Sequence, residues 1–130
     1  MKTESDVQRM FIRACESCNG LVLNIHGHAM QKSGWPDIFV SHARLDGGCW
    51  IEFKKDSNQC DTNQMLKLEK LRHRGSHAFV ARYLNSDGCL YAEDSRQNSL
   101  GLYMELDVLK ESAYNAIEFI QEVQRLSVGT

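Results

Sequence analysis

Residues 33–55 read SGWPDIFVSHARLDGGCWIEFKK, and this stretch decides the fold. Two runs rich in β-branched and aromatic residues, DIFVSH at 37–42 and CWIEFK at 49–54, flank the turn-like ARLDGG. Such runs on either side of an Asp/Gly cluster read as a β-hairpin. Side chains alternate along a strand, so Trp50, Glu52 and Lys54 share one face while Cys49, Ile51 and Phe53 share the other. Asp37 stands at the start of the first run, and hairpin pairing can bring it to Glu52. An acid among apolar neighbours needs a partner, and this stretch offers two acids and a lysine.

Outward from the hairpin, Asp61 with Gln64 three residues on forms a capping box, so a helix starts there. Met65, Leu68 and Leu71 supply its apolar stripe, and Gly75 its stop. HAFVARY at 77–83 follows as a strand, parallel to CWIEFK and joined to it by the helix. Upstream, Val7, Met10, Phe11, Ala14, Cys15 and Cys18 recur at helical spacing over 4–18, and Asn19-Gly20 closes that helix. LVLNI at 21–25 is a short strand and HGHAMQKSGWP a turn or loop. GCLYAE adds a further strand after NSDG. The tail from about 103 to 127 reads as helical with a break near Ser112. Its buried face is Ala113, Ala116, Ile117, Ile120 and Val123. The expected architecture is α/β, a central mixed sheet of about four or five strands flanked by helices. It forms a single domain over 1–130, with 103–127 a C-terminal helical addition.

A chain of 130 residues is enough for one domain with a real core. With 42% apolar and 25% charged residues it has an ordinary globular composition. No run approaches a membrane span, and MKTESDVQRM lacks the apolar run of a signal peptide. Five cysteines, Cys15, Cys18, Cys49, Cys60 and Cys89, then read as free thiols in a reducing cytosol. Cytoplasm, or host cytoplasm for a phage-encoded chain, is the expected location. Cys15 and Cys18 read as small side chains on a helix face rather than zinc ligands. The net charge of −2 argues against a protein that coats DNA nonspecifically but leaves room for local phosphate contacts. Basic residues do concentrate between Lys54 and Arg74.

Two carboxylates brought together repel unless a cation lies between them or they share a proton. Oxygen ligands of this kind suit Mg²⁺ or Mn²⁺. The backbone carbonyl of Phe53, between Glu52 and Lys54, can face the same ion. A lysine beside a metal-bound carboxylate can orient a water or hold charge developing on a phosphate, which is phosphodiester hydrolysis in outline.

Pro36-Asp37 followed by Glu52-Phe53-Lys54 resembles the PD-(D/E)xK nuclease signature, with its restriction-endonuclease-like core. Gly34-Trp35-Pro36-Asp37, Ile51 to Lys54, Asp61 to Gln64, and Gly75 before His77 to Val80 resemble its virus-type replication-repair nuclease (VRR-NUC) branch, over roughly 4–83. A weaker likeness, through Ser33-Gly34, runs to archaeal-type Holliday junction resolvases. The resemblance implies a Mg²⁺-dependent DNA endonuclease, with Asp37 and Glu52 as metal ligands and Lys54 at the attacking water. Gln64 would orient water, lysine or phosphate. The family's early glutamate falls on Glu4, which lies on the inward stripe, with Glu16 as its off-stripe competitor. Glu4 would serve a second metal or a metal-bound water.

Branched, flap or junction DNA in repair, recombination or phage replication is the substrate so implied. The rival readings are a strict homodimeric Holliday junction resolvase and an inactive DNA-binding or assembly module. Lys32, Ser33, Lys55, Lys67, Lys70 and Arg74 are the candidate DNA contacts, with a solvated helix face the plainer reading of the last three. Asp37 can instead cap a turn, and Glu52 can be an edge-strand charge paired with Lys54 or Lys55. Gln64 can serve the capping box and the site together. His26 and His28 read as a surface loop or a phosphate contact rather than zinc ligands. Trp35 reads as a core anchor before a base-stacking ring.

Overall fold

The computed structural model describes residues 2–25 and 27–127. Its elements, in order, are α1 (Glu4–Ser17), β1 (Leu21–Asn24), a 3₁₀ turn (Ala29–Ser33), β2 (Ile38–Ser41), β3 (Cys49–Lys55), α2 (Thr62–His73), β4 (Ala78–Leu84), β5 (Cys89–Glu93), β6 (Ser99–Glu105), α3 (Val108–Glu111) and α4 (Tyr114–Ser127). The strands form one six-stranded sheet in sequence order. β3 and β4 are parallel, with α2 as the crossover between them, and every other pairing is antiparallel. The hairpin and the crossover helix are therefore where the sequence puts them. Among the described residues no helix is long and apolar enough to cross a membrane.

The helices cover the sheet unequally. On one face Val7, Phe11, Ala14 and Cys15 of α1 and Ala116, Ile117, Ile120 and Val123 of α4 bury Ile51, Phe53, Phe79 and Ala81 in one continuous core. Phe11 meets Phe53 edge to face at 5.6 Å between ring centroids. On the other face α2 contributes a small cluster, Leu68 with Cys60, Ala78 and Val80. All five cysteines are free and buried.

The sheet has six strands rather than four or five, because the tail is not helical from 103. β6 runs through Tyr103 to Glu105, and helix starts only at Val108. Leu100, Leu102 and Met104 pack on the core while Ser99, Gly101, Tyr103 and Glu105 are exposed. That is a period of two, interrupted by one glycine and followed at once by a helical apolar pattern that masks it. The break near Ser112 is present, as the gap between α3 and α4. Tyr103 stays 64% exposed and stacks on Tyr91, whereas Phe119 is buried in the core.

Candidate active site

The β2–β3 ladder pairs Ile38 with Ile51, Phe39 with Trp50 and Val40 with Cys49. One step further along the same register sets Asp37 opposite Glu52. Directly opposed residues share a face, so both carboxylates lie on the α2 side of the sheet, where Trp50 also packs. Both are buried, Asp37 at 5% and Glu52 at 3% exposure. The segment leading to Asp37 is held from two sides. Gly34 has φ +84°, and a Cβ there would lie 2.4 Å from the carbonyl oxygen of Asn63 at the start of α2. Only glycine allows both the left-handed backbone and that approach. Trp35 then packs at 5.1 Å from Trp50, with the Lys67 ammonium 4.6 Å from its ring centroid.

Asp37 is fully engaged. Its Oδ2 accepts from the Phe53 backbone N–H at 2.8 Å, and its Oδ1 accepts from Gln31 Nε2 at 2.8 Å. Asp37 thus does not merely cap a turn; it ties the start of β2 to β3. A strand residue's N–H and C=O point to the same edge, so the Phe53 carbonyl also faces the Asp37 side of β3.

Glu52 is under-partnered. Its Oε2 accepts from Gln64 Nε2 at 3.2 Å and lies 3.7 Å from Lys54 Nζ. Its Oε1 is buried with no hydrogen-bond partner. Burial first, and the Asp37 charge second, push its carboxyl up to about 9, against the pull of Lys54. The neighbouring Asp37 oxygen and Glu4 add to the rise. A buried acid with an orphaned oxygen and a second acid beside it is a site short of positive charge. Two carboxylates and an adjacent carbonyl are hard oxygen donors, and they fit Mg²⁺ or Mn²⁺. Among the described residues no group of three or more His, Cys, Asp or Glu side chains gathers for a metal. The remaining positions would therefore fall to backbone and water, which suits Mg²⁺.

Gln64 bonds in two directions. Its Oε1 accepts from the Asp61 backbone N–H at 2.9 Å, closing the capping box, while its Nε2 reaches Glu52. Glu4 faces the site from α1, close enough to raise the Glu52 carboxyl, and its Oε2 accepts from Asn58 Nδ2 at 3.0 Å. Glu16 is exposed.

The expected DNA contacts are spread out. Lys32 and Ser33 are exposed at the end of the 3₁₀ turn, beside Gln31. Lys70 on α2 and Arg74 at its C-cap are exposed, whereas Lys67 leans over Trp35. Lys55 alternates away from Lys54 onto the α1 side of the sheet and lies 4.0 Å from Asp56. His28 caps the 3₁₀ turn, its Nδ1 accepting from the Met30 N–H at 3.2 Å. His26 lies outside the described residues.

Three residues that hold the site escaped the sequence. Gln31 sits in a segment read as a loop, Asn58 in the connection after β3, and Arg82 inside a strand. None lies on an apolar stripe or in a recognisable motif, so only the tertiary contacts find them.

No family model matches the chain, and no curated protein does. Among solved structures it is similar to a VRR_NUC domain protein at 21% identity, over 97% of this chain and 91% of that one, with TM-score 0.53. Archaeoglobus fulgidus Hjc, a Holliday junction resolvase from an archaeal hyperthermophile, matches at 15% identity, over 85% of this chain and 98% of that one, with TM-score 0.54. These two show the fold. A third, a VRR_NUC domain, matches at 31% identity over 59% of this chain and 81% of that one, with TM-score 0.48. The chain thus shares its fold with a VRR_NUC domain protein and with an archaeal Holliday junction resolvase, the two groups that its motif resembles.

Proposed function

We propose that this chain is a divalent-metal-dependent DNA endonuclease, selective for branched, flap or junction DNA. The observation that carries the reading is the Asp37–Glu52 pair, two buried acids on one face with one Glu52 oxygen left without a partner. A binding module has no use for clustered acids facing phosphates, which disfavours an inactive assembly role.

Asp37, Glu52 and the Phe53 carbonyl would hold Mg²⁺ or Mn²⁺. The cation supplies positive charge to the scissile phosphodiester and to the attacking water. Asp37 keeps its orientation through the Phe53 N–H and Gln31. Lys54 carries its ammonium to the rim of the pair, where it orients water and stabilises negative charge on the phosphate. Gln64 fixes Glu52 from the start of α2, so the acid does not swing away when its charge is needed. Glu4 does not gather with the pair as a third ligand, and would instead serve a metal-bound water. Lys32, Ser33, Lys67, Lys70 and Arg74 would contact the phosphate backbone without reading sequence.

The similarity to a Holliday junction resolvase makes four-way junctions the first substrate to try. The test compares cleavage of junction, flap, single-stranded and plain duplex DNA with Mg²⁺, Mn²⁺ and EDTA. Metal-dependent cleavage that favours the branched forms, and is lost in Glu52→Gln, is the expected result. Symmetric paired nicks confined to junctions would replace it with the narrower reading, a strict homodimeric resolvase. Cleavage unaffected by EDTA or by Glu52→Gln would overturn the assignment.

A further inference from the structure

The most heavily bonded side chain near the site touches neither acid. Arg82, on β4, stands opposite Lys54 in the parallel β3–β4 register and is buried at 6% exposure. Its Nε donates to Glu93 Oε1 at 3.0 Å and Oε2 at 2.9 Å. Its Nη1 donates to the backbone carbonyls of Asp56 at 2.7 Å and Asn58 at 2.6 Å. Its Nη2 donates to Gln97 Oε1 at 3.0 Å, and that oxygen also accepts from the Cys60 N–H at 2.9 Å.

The connection between β3 and α2 is thus wound around one guanidinium. Asp56 and Asn58 are held directly, and Cys60 through Gln97. This connection ends at Asp61, the cap from which Gln64 reaches Glu52. It also carries Asn58, whose side chain holds Glu4. Arg82 reaches the site through the main chain of 56–60, which it holds at the Asp56 and Asn58 carbonyls.

We infer that Arg82 is a positioning residue for the nuclease site: through the 56–60 main chain it sets Asn58, and through Asn58 it places Glu4 against the Asp37–Glu52 pair. Only a planar fork spans Glu93, two carbonyls and Gln97 at once, so a lysine would keep the charge and lose the geometry. The inference rests on the functional reading above, but the placement of Glu4 can be tested without it.

The first measurement is a double-mutant cycle for urea unfolding, built from Asn58→Ala, Glu4→Gln and their double, in the wild-type and Arg82→Lys backgrounds. The expected result is an Asn58–Glu4 coupling in the wild type that vanishes with Arg82→Lys. A purely packing role for Arg82 would lower stability and leave that coupling intact, which would overturn the inference. If Arg82→Lys fails to fold, Gln97→Asn serves instead. It suits the positive φ of residue 97 but is too short to join Arg82 to Cys60.

The second measurement is the Mg²⁺ concentration for half-maximal cleavage, expected to rise about tenfold in Arg82→Lys and in Asn58→Ala. In a Glu4→Gln background Arg82→Lys should add little further shift; full additivity would sink the route through Glu4. A wild-type chain that cleaves no DNA, yet loses the coupling in Arg82→Lys, would defeat the nuclease reading and leave the placement standing.

Discussion

The two faces of β3 are made of alternate residues of one strand and do opposite things. Ile51 and Phe53 point into the α1/α4 core, at 0% and 1% exposure, packed in its hydrophobic cluster. Trp50, Glu52 and Lys54 point toward α2, where the apolar cluster is small and the middle position is an acid that burial holds away from its ionised form. The first face supplies stability. The second gives some up, because an apolar side chain in place of Glu52 would have no orphaned oxygen and no repulsion from Asp37. A strand that packs well on one side can carry strained chemistry on the other.

Two substitutions one residue apart should split these roles. Glu52→Gln keeps the shape and removes the charge, so cleavage should fall about 10³-fold with the fold intact. Phe53→Ala empties a core position between α1 and β3 and should cost about 4 kcal/mol in a urea titration. Equal loss of stability from both would erase the contrast between the faces. Lys54→Ala belongs with the first and should lower the cleavage rate about 10²-fold, with little change in denaturation midpoint. A large loss of stability there would recast Lys54 as a structural partner of Glu52.

How much of this was legible follows the same division. The hairpin, the crossover helix and the opposition of Asp37 to Glu52 are local or nearest-neighbour features, written in alternation and in the Asp61/Gln64 box. The nuclease-like motif singles out Lys54 and Gln64 from the sequence alone. β6 was missed because its alternation lies between a glycine and a stronger helical pattern, and periodicity assigns the boundary to the stronger signal. Gln31, Asn58 and Arg82 were missed for another reason. They act across gaps in the chain of six, fifty-four and up to twenty-six residues, from Gln31 to Asp37, Asn58 to Glu4, and Arg82 to Asp56, and no periodicity encodes such pairings. Lys55 marks the limit of motif reading: it adjoins Lys54 in sequence, yet the strand turns it to the other face.

The smallest expected effect is a slope. In the metal-free chain the folded Glu52 keeps its proton up to about 9, while an unfolded glutamate loses it near its ordinary value of 4.5. Between those limits the folded state holds more protons than the unfolded one, so this group makes stability fall as pH rises. The slope is at most about 1.4 kcal/mol per pH unit. Urea unfolding in EDTA at pH 6 and pH 8 should therefore show a decline that Glu52→Gln abolishes. Saturating Mg²⁺ should abolish it too, because a cation between the acids favours the ionised form and binds with release of a proton. A decline that persists in Glu52→Gln would place the buried proton elsewhere. A decline that Mg²⁺ leaves untouched would mean the acid pair holds no metal, and the chemical face of β3 would lose the cation that the proposed function requires.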